Sequence, residues 1–374
     1  MAGLYIHIPF CRRACHYCDF HFSTQSGYVA DMVGSMIREL QLRKDYLRGE
    51  PLSTLYFGGG TPSLLHPDDV RRMIEWAVQL FGIKVDPEIT LEANPEDLTQ
   101  VYLNELRLTG VNRLSVGVQS FLDDELRALN RGHSSSQAAD SIKRAQDMGF
   151  ENITLDLMYA LPNSDESRWR YSMNRAISLQ VPHISAYCLT IEPGTYFGHL
   201  AKRAKVNFPE DPVAAAQYTM LCECMREAGY EHYEVSNFSL PGKSSRHNSG
   251  YWRGSAYMGI GPSAHSYDGT SRQWNVANNH TYMKGVAVGR GYFEREELTP
   301  EDRHNEYLIT GLRTAQGISL QRLWEMASPD VSGKWSVALD EWMQQGLLHA
   351  NGDALTLSEA GMLVADRLIT RLMI

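Results

Sequence analysis

Cys11-Arg-Arg-Ala-Cys15-His-Tyr-Cys18 puts three thiols within eight residues. Three thiolates on one tight loop can ligate three irons of a cubane [4Fe-4S] cluster and leave the fourth iron without a protein ligand. Such an open position is where a metal centre does chemistry. The amino and carboxylate groups of S-adenosylmethionine can fill it and set the sulfonium beside an electron source, so that one-electron reduction cleaves a C–S bond to a 5′-deoxyadenosyl radical. Zinc is the competing reading. It takes a closed set of four ligands, and His7, His16 or His21 could complete one, although zinc motifs favour paired Cys-x-x-Cys spacings over a single triplet.

The elements that must position this loop are legible from periodicity. Strand-like runs lie at Leu4–Ile8, Thr54–Phe57, Glu88–Glu92, Arg113–Val118, Ile153–Met158 and His183–Thr190. Helical patterns fall between them, near 28–47, 67–81, 99–109, 123–129 with 136–148, 166–179 and 212–228. This alternation predicts βαβ units and a parallel sheet with right-handed crossovers. Six strands suit an α/β fold of the partial (β/α)6, TIM-like barrel type, in which chemistry sits where strands end in loops. The pattern agrees with that rule. The cysteine loop follows the first strand, Gly58–Thr61 the second and Glu92–Pro95 the third, Gln119 follows the fourth, and Asp156 lies within the fifth. Residues 1–235 are therefore read as a core domain. A Gly/Ser/Asn- and aromatic-rich stretch over 236–298 has little period and reads as a connecting segment. Residues 299–374 return to helices followed by a hairpin-like pair and read as a small winged-helix-like C-terminal domain.

Apolar and charged fractions of 43% and 21% over 374 residues are those of a globular protein with a full-sized core. No run approaches membrane-span length, which leaves peripheral membrane association open. The first strand starts by residue 4 with no basic region or cleavage site before it, so no targeting peptide is expected and the cytoplasm is the expected compartment. A formal net charge of −9 lacks the bulk basic field of a general nucleic-acid binder, and no nucleic-acid partner is expected. Cys188, Cys222 and Cys224 are scattered and read as small buried hydrophobes.

Tyr5-Ile-His-Ile-Pro-Phe-Cys11, the cysteine triplet and Gly58-Gly-Gly-Thr-Pro62 resemble the radical S-adenosylmethionine superfamily. More closely, they resemble its branch of oxygen-independent coproporphyrinogen III oxidases and heme-chaperone relatives, and the likeness runs from Leu4 to the C-terminal unit. The resemblance implies roles for individual residues. Gly59, Gly60 and Thr61 would meet the methionyl amino group, and Glu92 and Arg131 would suit the charged ends of the methionyl moiety, a guanidinium gripping carboxylate bidentately. Gln119 and Asp156 would bond ribose hydroxyls, Tyr5 would lie against the cofactor, and Tyr17 would offer its backbone near the adenine. An electron donor for the cluster is implied as well.

Two features separate the members of that branch. The oxidases carry a further cysteine two residues after the triplet, where Phe20 stands here, and a sizeable extension ahead of the first strand. This sequence has His247-Asn-Ser-Gly-Tyr251-Trp252, a signature of the heme-binding members. An imidazole nitrogen is a good axial ligand for heme iron and aromatics can pack on a porphyrin. A histidine in such a segment can equally be a hydrogen-bonded structural residue, and His265 and His280 are alternative ligands. The expected function is a heme chaperone that binds heme and hands it to an acceptor protein. The alternatives are radical decarboxylation of coproporphyrinogen III and a radical methyltransferase or cyclase activity.

Overall fold

The strands alternate in a way that gives the sheet two unlike faces. Leu4, Ile6 and Ile8, Leu55 and Phe57, Leu114 and Val116, and Ile153 and Leu155 are buried in the main apolar core. The residues between them are Tyr5, Tyr56, Glu92, Ser115 and Asp156, and the strand register lines these up on the opposite face. A period of two makes this possible, because successive side chains point to opposite sides of the sheet.

The computed structural model describes residues 2–203, 206–327 and 329–374. Six parallel strands lie side by side: β1 (Ala2–Ile8), β2 (Leu52–Gly59), β3 (Ile83–Ala93), β4 (Arg113–Gln119), β5 (Asn152–Tyr159) and β6 (His183–Cys188). Helices cross between them, among them Val29–Leu42, Pro67–Phe81, Ser135–Asp147 and Glu166–Ser178. Local chemistry sets their ends. Ser134 and Gln137 form a reciprocal capping box at one start, and Pro67 opens another helix that stops at Gly82, whose φ is +70°. The fold is α/β with a parallel sheet, as the alternation predicted.

The aperiodic stretch 236–298 is more ordered than its composition suggested. It contributes β8 (Asn237–Ser239), β9 (Tyr257–Ile260), β10 (His265–Tyr267), β11 (Ser271–Asn275) and β12 (Phe293–Glu297), and β7 (Glu231–Glu234) precedes it. β9 pairs in parallel with β1, whereas β8 runs antiparallel to β6. The result is one open sheet of twelve strands, ordered β12-β11-β10-β9-β1-β2-β3-β4-β5-β6-β8-β7. Strands of three to five residues are too short to display a period, so their pairing is invisible without the neighbours.

C-terminal to the sheet, helices Pro300–Gly311, Leu320–Met326 and Pro329–Gln344 pack with β13 (Ile318–Ser319), β14 (Leu348–Asn351) and β15 (Ala354–Leu357). The strand order β13-β15-β14 gives a winged-helix-like unit, closed by helices Glu359–Leu363 and Ala365–Leu372. No helix among the described residues is long and apolar enough to cross a membrane.

Two local expectations change. The first helix ends at Leu42 rather than near 47, because Arg43 turns into the core and donates to the Gly259 carbonyl at 2.7 Å. Cys188 is exposed, since β6 ends there at the mouth of a cavity.

Glu39 fastens the late segments around β9 and β11 to the first helix. Its fully buried carboxylate accepts hydrogen bonds from Arg43 Nη1 (3.1 Å), Asn275 Nδ2 (2.8 Å), the Gly261 amide (2.9 Å) and Tyr282 Oη (2.6 Å). Removing one partner of a buried pair leaves an uncompensated charge. Glu39→Ala is therefore expected to cost about 3–5 kcal/mol, read as a lower denaturant midpoint, and Glu39→Gln is expected to cost less.

Candidate cofactor site

The cysteine loop lies between β1 and the helix Val29–Leu42 and is held from several sides. The Cys11 amide donates to the Ser23 carbonyl at 3.0 Å, and the His16 amide to the Leu129 carbonyl at 3.1 Å. Asn130 Nδ2 donates to the Ala14 carbonyl at 2.7 Å. Arg12 reaches Asp97 at 2.9 Å, and Ser63 donates to the other oxygen of that carboxylate at 2.7 Å. The loop is thereby tied to segments that follow β2, β3 and β4.

β2 must come very close to the loop, and its glycines allow it. Gly59 has a φ of +103°, and a Cβ there would fall 2.6 Å from the His7 ring. At Gly60 a Cβ would fall 2.7 Å from the Phe10 carbonyl oxygen and 2.8 Å from that of Ile8. Without side chains, the Gly60 amide bonds the Ile8 carbonyl at 2.8 Å. Thr61 Oγ1 then reaches Cys11 Sγ at 3.4 Å.

These segments enclose a cavity of about 520 Å³, within the roughly 300–1,000 Å³ range of small-molecule sites. Cys11, Cys15, Cys18, Tyr17, Gly59, Gly60, Thr61, Glu92, Gln119, Arg131 and Asp156 all line it. Residues separated by as many as 145 positions thus meet at one rim. Tyr5 and His247 are not among its lining residues. The Tyr5 ring lies at the level of Gly58, stacked with Tyr56 at 6.1 Å, and its hydroxyl bonds His7 Nδ1 at 3.2 Å.

Arg131 is buried in the wall. Its Nη1 donates to Cys15 Sγ at 3.4 Å, and its Nη2 to Asn94 Oδ1 at 2.6 Å and the Gly117 carbonyl at 2.5 Å, while Nε is buried without a partner. Gln119 sits in the left-handed region at φ +73°, which turns the chain at the end of β4. Asp156 accepts from Ser115 Oγ at 3.3 Å. Glu92 accepts from Tyr56 Oη at 2.8 Å.

Burial shapes the electrostatics. It pushes the Glu92 carboxyl up to about 7, with the nearby Asp156 charge adding to the rise and the Tyr56 bond opposing it. Burial likewise pushes Asp156 up to about 6, opposed by its serine bonds. The Cys18 thiol rises to about 11 for the same reason, so a bound metal must displace its proton. Two carboxyls looking for a cation, a buried arginine with an unmet N–H, and three free thiols on one loop fit a cluster and the charged methionyl end of its cofactor.

A second, polar cavity of about 50 Å³ lies deeper in the sheet and has room for roughly three waters. Tyr56, Glu92, Ser115, Asp156 and Tyr187 line it together with Arg113, His183, Ser245 and Asn248. His247 is next to it. The ring is buried and stacked on Tyr56 at 5.0 Å, with Nδ1 bonded to Thr54 Oγ1 and Nε2 to Tyr251 Oη, both at 2.8 Å. Burial lowers its pKa to about 3 and keeps the ring neutral. Both nitrogens are engaged, so ligating iron requires breaking one of these bonds. His265 and His280 are exposed.

Sequence reasoning passed over Asn94, Ser115 and Tyr56, which orient Arg131, Asp156 and Glu92. Their signal is the polar half of the strand alternation: Thr54-x-Tyr56, Thr90-x-Glu92, Arg113-x-Ser115, Thr154-x-Asp156 and His183-x-Ser185.

Comparison with known proteins gives the family. Residues 5–176 match the model of the radical SAM superfamily, and residues 298–364 match that of the HemN C-terminal domain. The chain is 35% identical over 370 residues to the heme chaperone HemW of Bacillus subtilis, covering 98% of this chain and 97% of that one. It is 35% identical over 378 residues to the HemW of Mycobacterium tuberculosis, covering 99% and 94%. It is also 32% identical to the mitochondrial radical S-adenosyl methionine domain-containing protein 1 of Danio rerio, covering 100% and 87%. Among solved structures, coproporphyrinogen III oxidase (HemN) from Escherichia coli superposes with a TM-score of 0.85 at 22% identity, covering 100% of this chain and 90% of that one, a likeness of fold.

The raised carboxyls set a pH dependence for the ligand-free protein. Glu92 titrates near 7 in the fold instead of near 4.5, so the folded state holds an extra proton between those values and loses relative stability as pH rises through 7. Glu92→Gln removes that loss. The variant is expected to gain on the native protein between pH 5 and pH 8, by up to roughly 3 kcal/mol, measured as denaturant midpoints across pH.

Proposed function

Because the chain belongs to the HemW family of radical S-adenosylmethionine proteins, we propose that it is a heme chaperone that binds heme and transfers it to an acceptor protein. The end-to-end likeness to bacterial heme chaperones carries the reading. It is supported by Phe20, 68% exposed at the cavity mouth, where the oxidases place a cysteine. Membership of the superfamily brings a [4Fe-4S] cluster and S-adenosylmethionine with it.

In this reading Cys11, Cys15 and Cys18 hold the cluster. Arg131 and Glu92 grip the carboxylate and ammonium of S-adenosylmethionine, Gly59, Gly60 and Thr61 offer backbone and hydroxyl to the same end, and Gln119 and Asp156 take the ribose. Tyr17 lies by the adenine, and Tyr5 backs the site from beneath Gly58. When bound, the cluster can supply one electron to the sulfonium. The protein's own contribution is positional: Asn94 and the Gly117 carbonyl aim Arg131, Tyr56 aims Glu92, and Ser115 aims Asp156. The reading includes a cytoplasmic location, an electron donor for the cluster, no nucleic-acid partner, and a division into a core (1–235), a connecting segment (236–298) and a C-terminal domain (299–374).

Heme ligation by His247 belongs to the same proposal. The imidazole is neutral, as a metal ligand must be, and it becomes available once Nε2 leaves Tyr251. An anaerobic heme titration of cluster-reconstituted protein is expected to give a Soret band saturating at one heme per chain. His247→Ala is expected to weaken binding at least about tenfold, a loss of roughly 1.4 kcal/mol, whereas Tyr251→Phe, which frees Nε2, leaves it intact or tighter. Absence of a Soret change rules out the chaperone reading. Full binding by His247→Ala moves the ligand to another residue. Coproporphyrinogen III added to the same samples is expected to remain unconverted.

A further inference from the structure

Away from the cofactor site, three potential metal ligands from three elements converge. Cys222 lies on the helix Asp211–Glu227, His232 on β7, and Glu359 at the start of the C-terminal helix Glu359–Leu363. A sulfur, an imidazole nitrogen and a carboxylate oxygen from these residues all lie within 4.8 Å of one another. In a tetrahedral site with bonds of about 2.0–2.3 Å, ligand atoms stand roughly 3.5 Å apart, so side-chain movements of about an ångström complete the set.

The surroundings point to a cation. His232 Nε2 is buried with no hydrogen-bond partner, and the Tyr218 hydroxyl beside it is engaged with the Cys222 sulfur. Buried polar atoms are ordinarily satisfied, and each exception calls for an explanation. The His232 ring is held flat against Phe238, with centroids 4.3 Å apart and planes within 13°. The ring is thus held in place by stacking while a nitrogen is left without a partner, which leaves it available to a metal. Positive charge is already drawn to the spot, since Arg226 donates to Glu359 and acts on both Cys222 and His232. Arg226 is solvent-exposed and free to swing aside.

We propose that Cys222, His232 and Glu359 form a binding site for a divalent ion of the zinc class that staples the C-terminal unit to the last helix and edge strand of the core. The sulfur, nitrogen and oxygen donors match that class, with water as the fourth ligand. Binding exchanges the Cys222 thiol proton for a metal–sulfur bond. The proton goes to solvent and no electron moves. Cys222 therefore does more than fill the core, and the helix–domain contact becomes responsive to metal.

The test uses the full chain loaded with its iron–sulfur cluster, so that Cys11, Cys15 and Cys18 are occupied, with zinc as the added metal. After anaerobic incubation and gel filtration, the native protein is expected to retain one zinc per chain, with sulfur and nitrogen or oxygen neighbours in its X-ray absorption spectrum. Cys222→Ala and His232→Gln are expected to lose it. Glu359→Gln alters an exposed side chain and so tests the site without disturbing the core, and it is expected to weaken zinc retention. Zinc is also expected to slow amide exchange in the helix Glu359–Leu363 of the native protein and not of the variants. Failure of the native protein to retain zinc, or full retention by Cys222→Ala and Glu359→Gln together, overturns the proposal. None of these readouts involves heme, so the outcome is independent of the chaperone reading.

Discussion

A β-strand shows its side chains alternately to two sides, and in this protein the two sides have opposite requirements. One faces helices and must be apolar, while the other surrounds the cofactor cavity and the small polar cavity beneath it. A parallel sheet buried on both faces usually reads as continuous hydrophobic runs. Here Leu155-Asp156-Leu157 and Leu91-Glu92-Ala93 interrupt that pattern, and burying such groups is costly unless partners are at hand. The serines and tyrosines on neighbouring strands are those partners, which is why Ser115 accompanies Asp156 and Tyr56 accompanies Glu92.

Satisfaction of the polar face is incomplete, and this connects fold to function. Burial keeps the pKa values of Glu92 and Asp156 raised, no side-chain cation forms a direct ion pair with either among the described residues, and Arg131 keeps an unmet N–H. In the proposed reading, a ligand carrying both an ammonium and a carboxylate would supply partners to Glu92 and Arg131. The loop that carries the thiols is held firmly, through Arg12–Asp97 and the backbone bonds at Cys11 and His16. Firm anchoring beside unsatisfied charge is the arrangement expected of a preorganised site.

His247 links the two ends of this system. Its ring supports Tyr56, Tyr56 holds Glu92, and Glu92 faces the cavity. The signature that reads as a heme motif is thus also part of the floor under the cofactor site. A change at His247 that releases Tyr56 would be felt at Glu92 as well as at any bound heme.

Much of the fold was legible in the residues. The six parallel strands, the cysteine loop and its glycine-rich neighbour follow from periodicity and spacing, because these are local patterns along one segment. The family resemblance marked Glu92, Gln119, Arg131 and Asp156 as a set. Contacts between distant segments were not legible. β8 to β12 are too short to show a period, and they exist because β1 and β6 offer edges to pair with. Neither the two occupied nitrogens of His247 nor the meeting of Cys222, His232 and Glu359 leaves a trace in spacing, since 137 residues separate the first of those three from the last. The sequence by itself determined which residues could do chemistry and which strand ends would carry them. Only the tertiary structure decided which polar groups are satisfied and which wait for a partner, because hydrogen bonding and burial depend on neighbours brought in from across the chain.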